Sequence, residues 1–158
     1  MQVADFHFVA SEQSKRRVIS MGENPETIFN YGCPSMDVLT NIDLNISNAI
    51  MKQYHGIGSG IDWTKPYILM VQHPVTTSYG EGYQQVFETL NALKDCKGHQ
   101  KVILWPNIDA GSDKVSKALR VFRENNIDLN FSYFKNFTPE DYARVLNNAE
   151  CCVGNSSS

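Results

Sequence analysis

The chain has 158 residues, 42% of them apolar and 20% charged, with a formal net charge of −3. That is enough for one good hydrophobic core and too little for two ordinary ones, with the make-up of a globular rather than a disordered chain. The acidic balance excludes non-specific gripping of nucleic acid, which needs a basic face, and the longest apolar runs, such as Tyr67-Ile-Leu-Met-Val71, fall far short of the roughly 20 residues of a membrane span.

No secretory leader precedes the first strand-like segment, so a cytoplasmic location is expected. The four cysteines, Cys33, Cys96, Cys151 and Cys152, lack Cys-x-x-Cys spacing and are expected to be reduced, buried thiols. Asp5 to Ala10 alternates apolar and polar residues and predicts a strand. A helix follows from a Ser11 N-cap to Gly22, with Lys15, Arg16 and Arg17 on its solvated face. Ile28 to Cys33 predicts a second short strand. Two strands and a helix cannot enclose a core, so this stretch needs a neighbour to pack on. Met36–Leu39 and Ile46–Tyr54 have weak helical spacing, and His55-Gly56-Ile57-Gly58-Ser59-Gly60 reads as a plain loop.

From Tyr67 the pattern sharpens. Tyr67–Gln72 suits a strand covered on both faces. A helix follows with Tyr83, Val86, Phe87, Leu90 and Leu93 on one side, then a strand over Lys101–Trp105. Ser112 is expected to cap a helix carrying Val115, Ala118, Leu119 and Phe122, followed by a strand over Asp128–Tyr133. Thr138 caps a third helix with Pro139 at its first position and Tyr142, Val145, Leu146 and Ala149 facing inward; Cys151–Val153 is the last strand. Strands alternating with helices of i, i+3, i+4, i+7 spacing imply right-handed crossovers and a parallel α/β sheet.

Ligands of open parallel sheets bind outside the carboxyl ends of the strands. The four loops there are Gln72-His73-Pro74-Val75-Thr76-Thr77, Pro106-Asn107-Ile108-Asp109-Ala110-Gly111-Ser112, Lys135-Asn136-Phe137-Thr138 and Gly154-Asn155-Ser156-Ser157-Ser158. Ser and Asn side chains with helix N-termini suit a nucleoside diphosphate, and Phe137 offers a flat face to a base. An imidazole such as that of His73 can donate to a phosphate or protonate a leaving oxygen. Each residue also has an ordinary reading: Asn107 and Asp109 are common turn formers, and a terminal Ser run is often frayed chain. Convergence on one edge is what favours a site. His7, His55, His73 and His99 have no paired metal-ligand spacing, and the Ser run lacks a Gly-x-Ser-x-Gly nucleophile elbow.

Ala4-Asp5-Phe6-His7-Phe8-Val9, Arg16-Arg17-Val18-Ile19 with Met21-Gly22-Glu23, and Tyr31-Gly32-Cys33-Pro34-Ser35-Met36-Asp37 resemble the middle of UDP-N-acetylglucosamine 2-epimerases. Gln72-His73-Pro74-Val75-Thr76-Thr77, Pro106-Asn107-Ile108-Asp109-Ala110-Gly111 and Gly154-Asn155-Ser156-Ser157 resemble the nucleotide-binding half of the hydrolysing branch. Where that branch has His73-Pro74-Val75-Thr76, the non-hydrolysing branch usually has His followed by Arg-Arg-Glu.

The resemblance implies a Rossmann-like parallel sheet, the C-terminal half of a glycosyltransferase-B-type two-domain fold, here truncated. Residues 1–39 would be the end of the N-terminal domain with the interdomain segment, and 40–158 an incomplete nucleotide-binding domain. The implied reaction eliminates UDP to give a 2-acetamidoglucal and then adds water, releasing N-acetylmannosamine for sialic acid synthesis, with no metal or nicotinamide. By position, His73 would act at the sugar diphosphate as a catalytic and binding residue. Asn107 would contact the nucleotide, Phe137 would lie against uracil, and Ser156 and Ser157 would hold the diphosphate. The family's proton-transfer carboxylates lie in the N-terminal domain, so the chain alone is expected to be inactive; the full-length enzyme is expected to be a homo-oligomer. A UDP- or GDP-linked diacetamido sugar for legionaminic acid is an alternative substrate, and a glycosyltransferase of the same fold an alternative activity.

Overall fold

The computed structural model describes residues 4–75, 80–108 and 110–156. It divides into two units, Met1–Ile42 and Asp43–Ser158.

The first unit contains β1 (His7–Val9), α1 (Glu12–Ser20), β2 (Ile28–Asn30) and α2 (Pro34–Asn41). β1 and β2 pair in parallel, His7 opposite Ile28. Ser11 caps α1 by accepting the Ser14 N–H at 3.1 Å. β2 is shorter than the predicted strand because Pro34, with no N–H for a ladder, opens α2, and Cys33 becomes its N-cap. Among the described residues of this unit only Ile28 is buried. Phe8 and Tyr31, both about three-quarters exposed, stack in a row with Phe29 on one face of the strands.

The second unit contains β3 (Ile57–Gly58), β4 (Tyr67–Val71), α3 (Gly82–Asp95), β5 (Gln100–Leu104), α4 (Ser112–Asn125), β6 (Phe131–Phe134), α5 (Pro139–Asn147) and β7 (Cys151–Gly154). Its sheet runs β3-β6-β5-β4-β7, parallel except for β3. The chain steps outward from β4 to β6 and then crosses back, through α5, to lay β7 on the far side of β4. That reversal puts helices on both faces and leaves β4 buried along its whole length. Alternation along β4 separates two cores. Ile68 and Met70 pack with Val86, Leu90 and Leu93 of α3 and with Val115, Leu119 and Phe122 of α4. Tyr67, Leu69 and Val71 pack with Met51, Trp63 and Val145 on the other face. Each large side chain so buried contributes about 1.5–3 kcal/mol.

Several sequence expectations need correcting. His55–Gly60 contains β3, an antiparallel edge strand on β6, with Ile57 opposite Tyr133. Gly58 has φ +109°, and a Cβ there would meet the Phe131 carbonyl oxygen, so its glycine reflects close strand approach. Ser112 is the first helical residue of α4 and does not cap it; Gly111 holds the cap position. β6 begins at Phe131 because a turn closed by the Leu129 N–H on the Asn126 carbonyl consumes the preceding residues. In α5 Val145 is buried and Tyr142, with Ala149 just beyond the helix, packs half-buried on the core as expected; Asp141 and Ala143 are buried as well, while Leu146, about 100° round the helix from Val145, is 37% exposed. The cysteines are free, but Cys96, Cys151 and Cys152 are exposed and Cys33 half-buried. Cys151 and Cys152 sit on β7, which among the described residues pairs with β4 and ends the sheet.

Candidate functional site

Strands β4, β5, β6 and β7 are mutually parallel, so the loops after them share one edge of the sheet. There they surround a cavity of about 160 Å³ whose lining includes His73, Asn107, Phe137 and Ser156. Four of the five predicted site residues are thus brought together. Ser157 lies outside the described residues, as do Thr76, Thr77 and Asp109 of the same loops. The lining also includes Trp105, Lys135, Asn136 and Tyr142. Lys135 and Asn136 follow β6 directly, a position that pointed to this edge, whereas Tyr142 carried only a helical core signal.

Larger hollows lie elsewhere. One of about 320 Å³ is bordered by Met51, His55 and Trp63, and one of about 470 Å³ lies by Lys65, Gln100 and Asn130, at the strand beginnings. Neither gathers the strand-end loops, and the carboxyl edge is where parallel sheets hold ligands.

Phe137 is half-buried and held by other rings. Tyr54 meets it edge-on with centroids 4.7 Å apart, Phe134 lies at 5.1 Å and Trp63 at 6.1 Å. This packing orders the loop and leaves part of the ring on the cavity. His73 is held through its main chain: its N–H donates to Asn155 Oδ1 at 2.8 Å, and its carbonyl accepts from Asn155 Nδ2 at 3.0 Å. Among the described residues its buried Nδ1 has no hydrogen-bond partner.

Behind the Lys135–Thr138 loop lies a network absent from the sequence reading. Asp141 is only 4% exposed. Its Oδ2 accepts from the Tyr54 hydroxyl at 2.6 Å, from Gln53 Nε2 at 3.0 Å and from the Thr138 hydroxyl at 3.1 Å. Arg144 Nη1 donates to its Oδ1 at 2.6 Å. Burial pushes the Asp141 pKa up, but the hydrogen bonds from Tyr54, Arg144 and Thr138, with the Arg144 charge, outweigh it and hold the carboxyl below its ordinary value. Tyr54 also accepts the Thr138 N–H at 3.0 Å, so one phenol ties the loop to the start of α5.

The family model for UDP-N-acetylglucosamine 2-epimerase matches residues 1–158. Among curated relatives, the chain is 27% identical over 158 residues to the polysialic acid biosynthesis protein P7 of Escherichia coli, covering 99% of this chain and 38% of that protein. It is 27% identical to a UDP-N,N'-diacetylbacillosamine 2-epimerase (hydrolyzing) of Legionella pneumophila, covering 99% and 39%. It is 28% identical to the UDP-N-acetylglucosamine 2-epimerase of Neisseria meningitidis serogroup B, covering 99% and 38%. The chain therefore spans about two fifths of the length of these relatives. Its fold is similar to that of S. aureus MnaA in a co-structure with UDP, at TM-score 0.65 and 15% identity over 98% of this chain and 38% of that one. It is also similar to UDP-GlcNAc 2-epimerase from Neisseria meningitidis bound to UDP-GlcNAc, at TM-score 0.63 and 15% identity over 98% and 40%. An open parallel sheet, a strand-end cavity and a family match along its full length together mean that the chain belongs to the UDP-N-acetylglucosamine 2-epimerase family.

Proposed function

We propose that this chain supplies the UDP-binding part of a hydrolysing UDP-N-acetylglucosamine 2-epimerase. The observation that carries the reading is the arrival of His73, Asn107, Phe137 and Ser156 on one cavity from four different strand ends. Phe137 supplies an apolar ring face for the uracil, and Asn107 a hydrogen-bonding carboxamide for the nucleotide. Ser156, with Ser157 after it, holds the diphosphate, helped by the helix N-termini that open on the same edge.

In the reaction, the C1–O bond to UDP breaks as a proton leaves C2, giving 2-acetamidoglucal and UDP. Water then adds across the double bond, hydroxyl to C1 and hydrogen to the opposite face of C2, giving N-acetylmannosamine. His73 donates to the diphosphate oxygen on which charge develops. Proton transfer at C2 falls to residues outside these 158, so the chain alone turns nothing over. Residues 1–39 belong on this reading to the end of the preceding domain and its connecting segment, and 40–158 to the nucleotide-binding domain. The full-length protein works as a cytoplasmic homo-oligomer. The hydrolysing branch is favoured by Pro74-Val75 after His73, in place of Arg-Arg.

A second reading, a diacetamido sugar as substrate, is favoured by the similarity to the Legionella enzyme. A UDP titration of the 15N-labelled chain tests the nucleotide site: shifts gathered at the four strand-end loops support it, and shifts elsewhere, or none, overturn it. Assay of the full-length protein with both UDP-sugars then separates the substrates, and release of free UDP separates hydrolysis from simple epimerisation.

A further inference from the structure

β4 and β7 pair in parallel register up to Val71 opposite Gly154. Beyond that point a side chain continues the ladder. The Asn155 N–H donates to the Val71 carbonyl at 3.2 Å. Its carboxamide then takes both main-chain groups of His73, accepting the N–H at 2.8 Å and donating to the carbonyl at 3.0 Å. A carboxamide has one acceptor and one donor side by side, which is what a single residue's N–H and C=O require of one partner.

The preceding glycine makes this possible. A Cβ on Gly154 would collide with the Val71 carbonyl oxygen, and its φ is +145°. Only glycine lets β7 pass close enough for Asn155 to reach across to His73.

We propose that Asn155 is a positioning residue: it holds the His73 backbone on both sides of its Cα and so aims the imidazole into the cavity that the next residue, Ser156, also lines. With both peptide groups tied, the Cα–Cβ direction is set before any ligand arrives, and the ordering entropy is already met in folding. Asp would keep the acceptor and lose the donor; Ala would lose both.

The functional consequence rests on the UDP-sugar reading, whereas the hydrogen bonds do not, and the test separates the two. In the 158-residue chain, amide hydrogen exchange is followed by NMR in wild type, Asn155→Ala and Asn155→Asp. Leu69 and Val102, in the core, report whether each variant is folded. The expected result is His73 N–H exchange at least about tenfold faster in Asn155→Ala, the effect of one lost hydrogen bond, and near wild type in Asn155→Asp. UDP titration of the same samples should show about three- to tenfold weaker binding in Asn155→Ala. The UDP-induced shift of the His73 ring should collapse there while that of Phe137 persists, a split that general loosening would not produce. Unchanged His73 exchange in a folded Asn155→Ala overturns the proposal whatever UDP does. A wild-type chain that ignores UDP overturns the nucleotide reading, and the exchange measurement still decides the role of Asn155.

Discussion

The Tyr54 hydroxyl donates to the Asp141 carboxylate at 2.6 Å, joining residues 87 apart in the chain. The same oxygen accepts the Thr138 N–H, so a residue ahead of the sheet fixes the loop that presents Phe137. Tyr54→Phe removes both bonds and leaves a buried carboxylate short of a donor. The expected cost is about 1–3 kcal/mol in urea unfolding, with weaker UDP binding on the nucleotide reading. Unchanged stability would mean that Gln53, Thr138 and Arg144 satisfy Asp141 without it.

Asp141 also sets part of the acid limb of stability. Its pKa is lowered in the folded chain, so its contribution is full above the unfolded carboxylate value of about 3.9 and is lost as pH falls through the folded value. Urea midpoints of wild type and Asp141→Asn between neutral pH and about pH 3 should therefore converge as the solution becomes more acid. A constant gap would show that the carboxylate charge is not what the network uses.

Tyr133 behaves in the opposite sense. Its buried hydroxyl has no hydrogen-bond partner among the described residues, and burial pushes its pKa up to about 12. A raised value means that stability is intact below the unfolded phenol pKa of about 10 and is lost as pH rises through the folded one. Phenolate absorbance should report its ionisation only in strong alkali. Tyr133→Phe removes an unsatisfied polar group and should be neutral or stabilising by up to about 1 kcal/mol in urea unfolding.

Two of the site residues, Phe137 and His73, should separate in a stability assay. Phe137 packs on Tyr54, Phe134 and Trp63, so Phe137→Ala should cost about 2–3 kcal/mol of folding stability, less than a fully buried Phe would. His73 uses main-chain bonds, and His73→Ala should stay within about 1 kcal/mol of wild type. On the nucleotide reading both weaken UDP binding, measured by titration calorimetry. Equal stability losses would contradict this division.

Gly154→Ala should cost more than about 2 kcal/mol in urea unfolding, because the added carbon meets a main-chain oxygen with no side chain able to move aside. Hydrogen exchange should show the β4–β7 pairing weakened first.

What the sequence determined by itself was whatever repeats along the chain. The apolar run at Tyr67–Val71 and the helical spacing of Val86, Leu90 and Leu93 report burial locally, so the alternating strands and helices, and the residues at the strand ends, were legible. The gathering of His73, Asn107, Phe137 and Ser156 followed from one further rule, that parallel strands end on a common edge. Tertiary structure alone decided the rest. Asp141 reads as an ordinary helix-start acid until Tyr54 and Gln53 meet it from elsewhere in the chain, and Asn155 reads as one polar residue of a strand-end loop until β7 lies beside β4. Ile57–Gly58 looks like loop because two residues carry no periodicity, and only β6 alongside makes them a strand. Hydrophobic period is written in neighbouring residues, but a hydrogen bond between distant polar groups exists only when the fold brings them together.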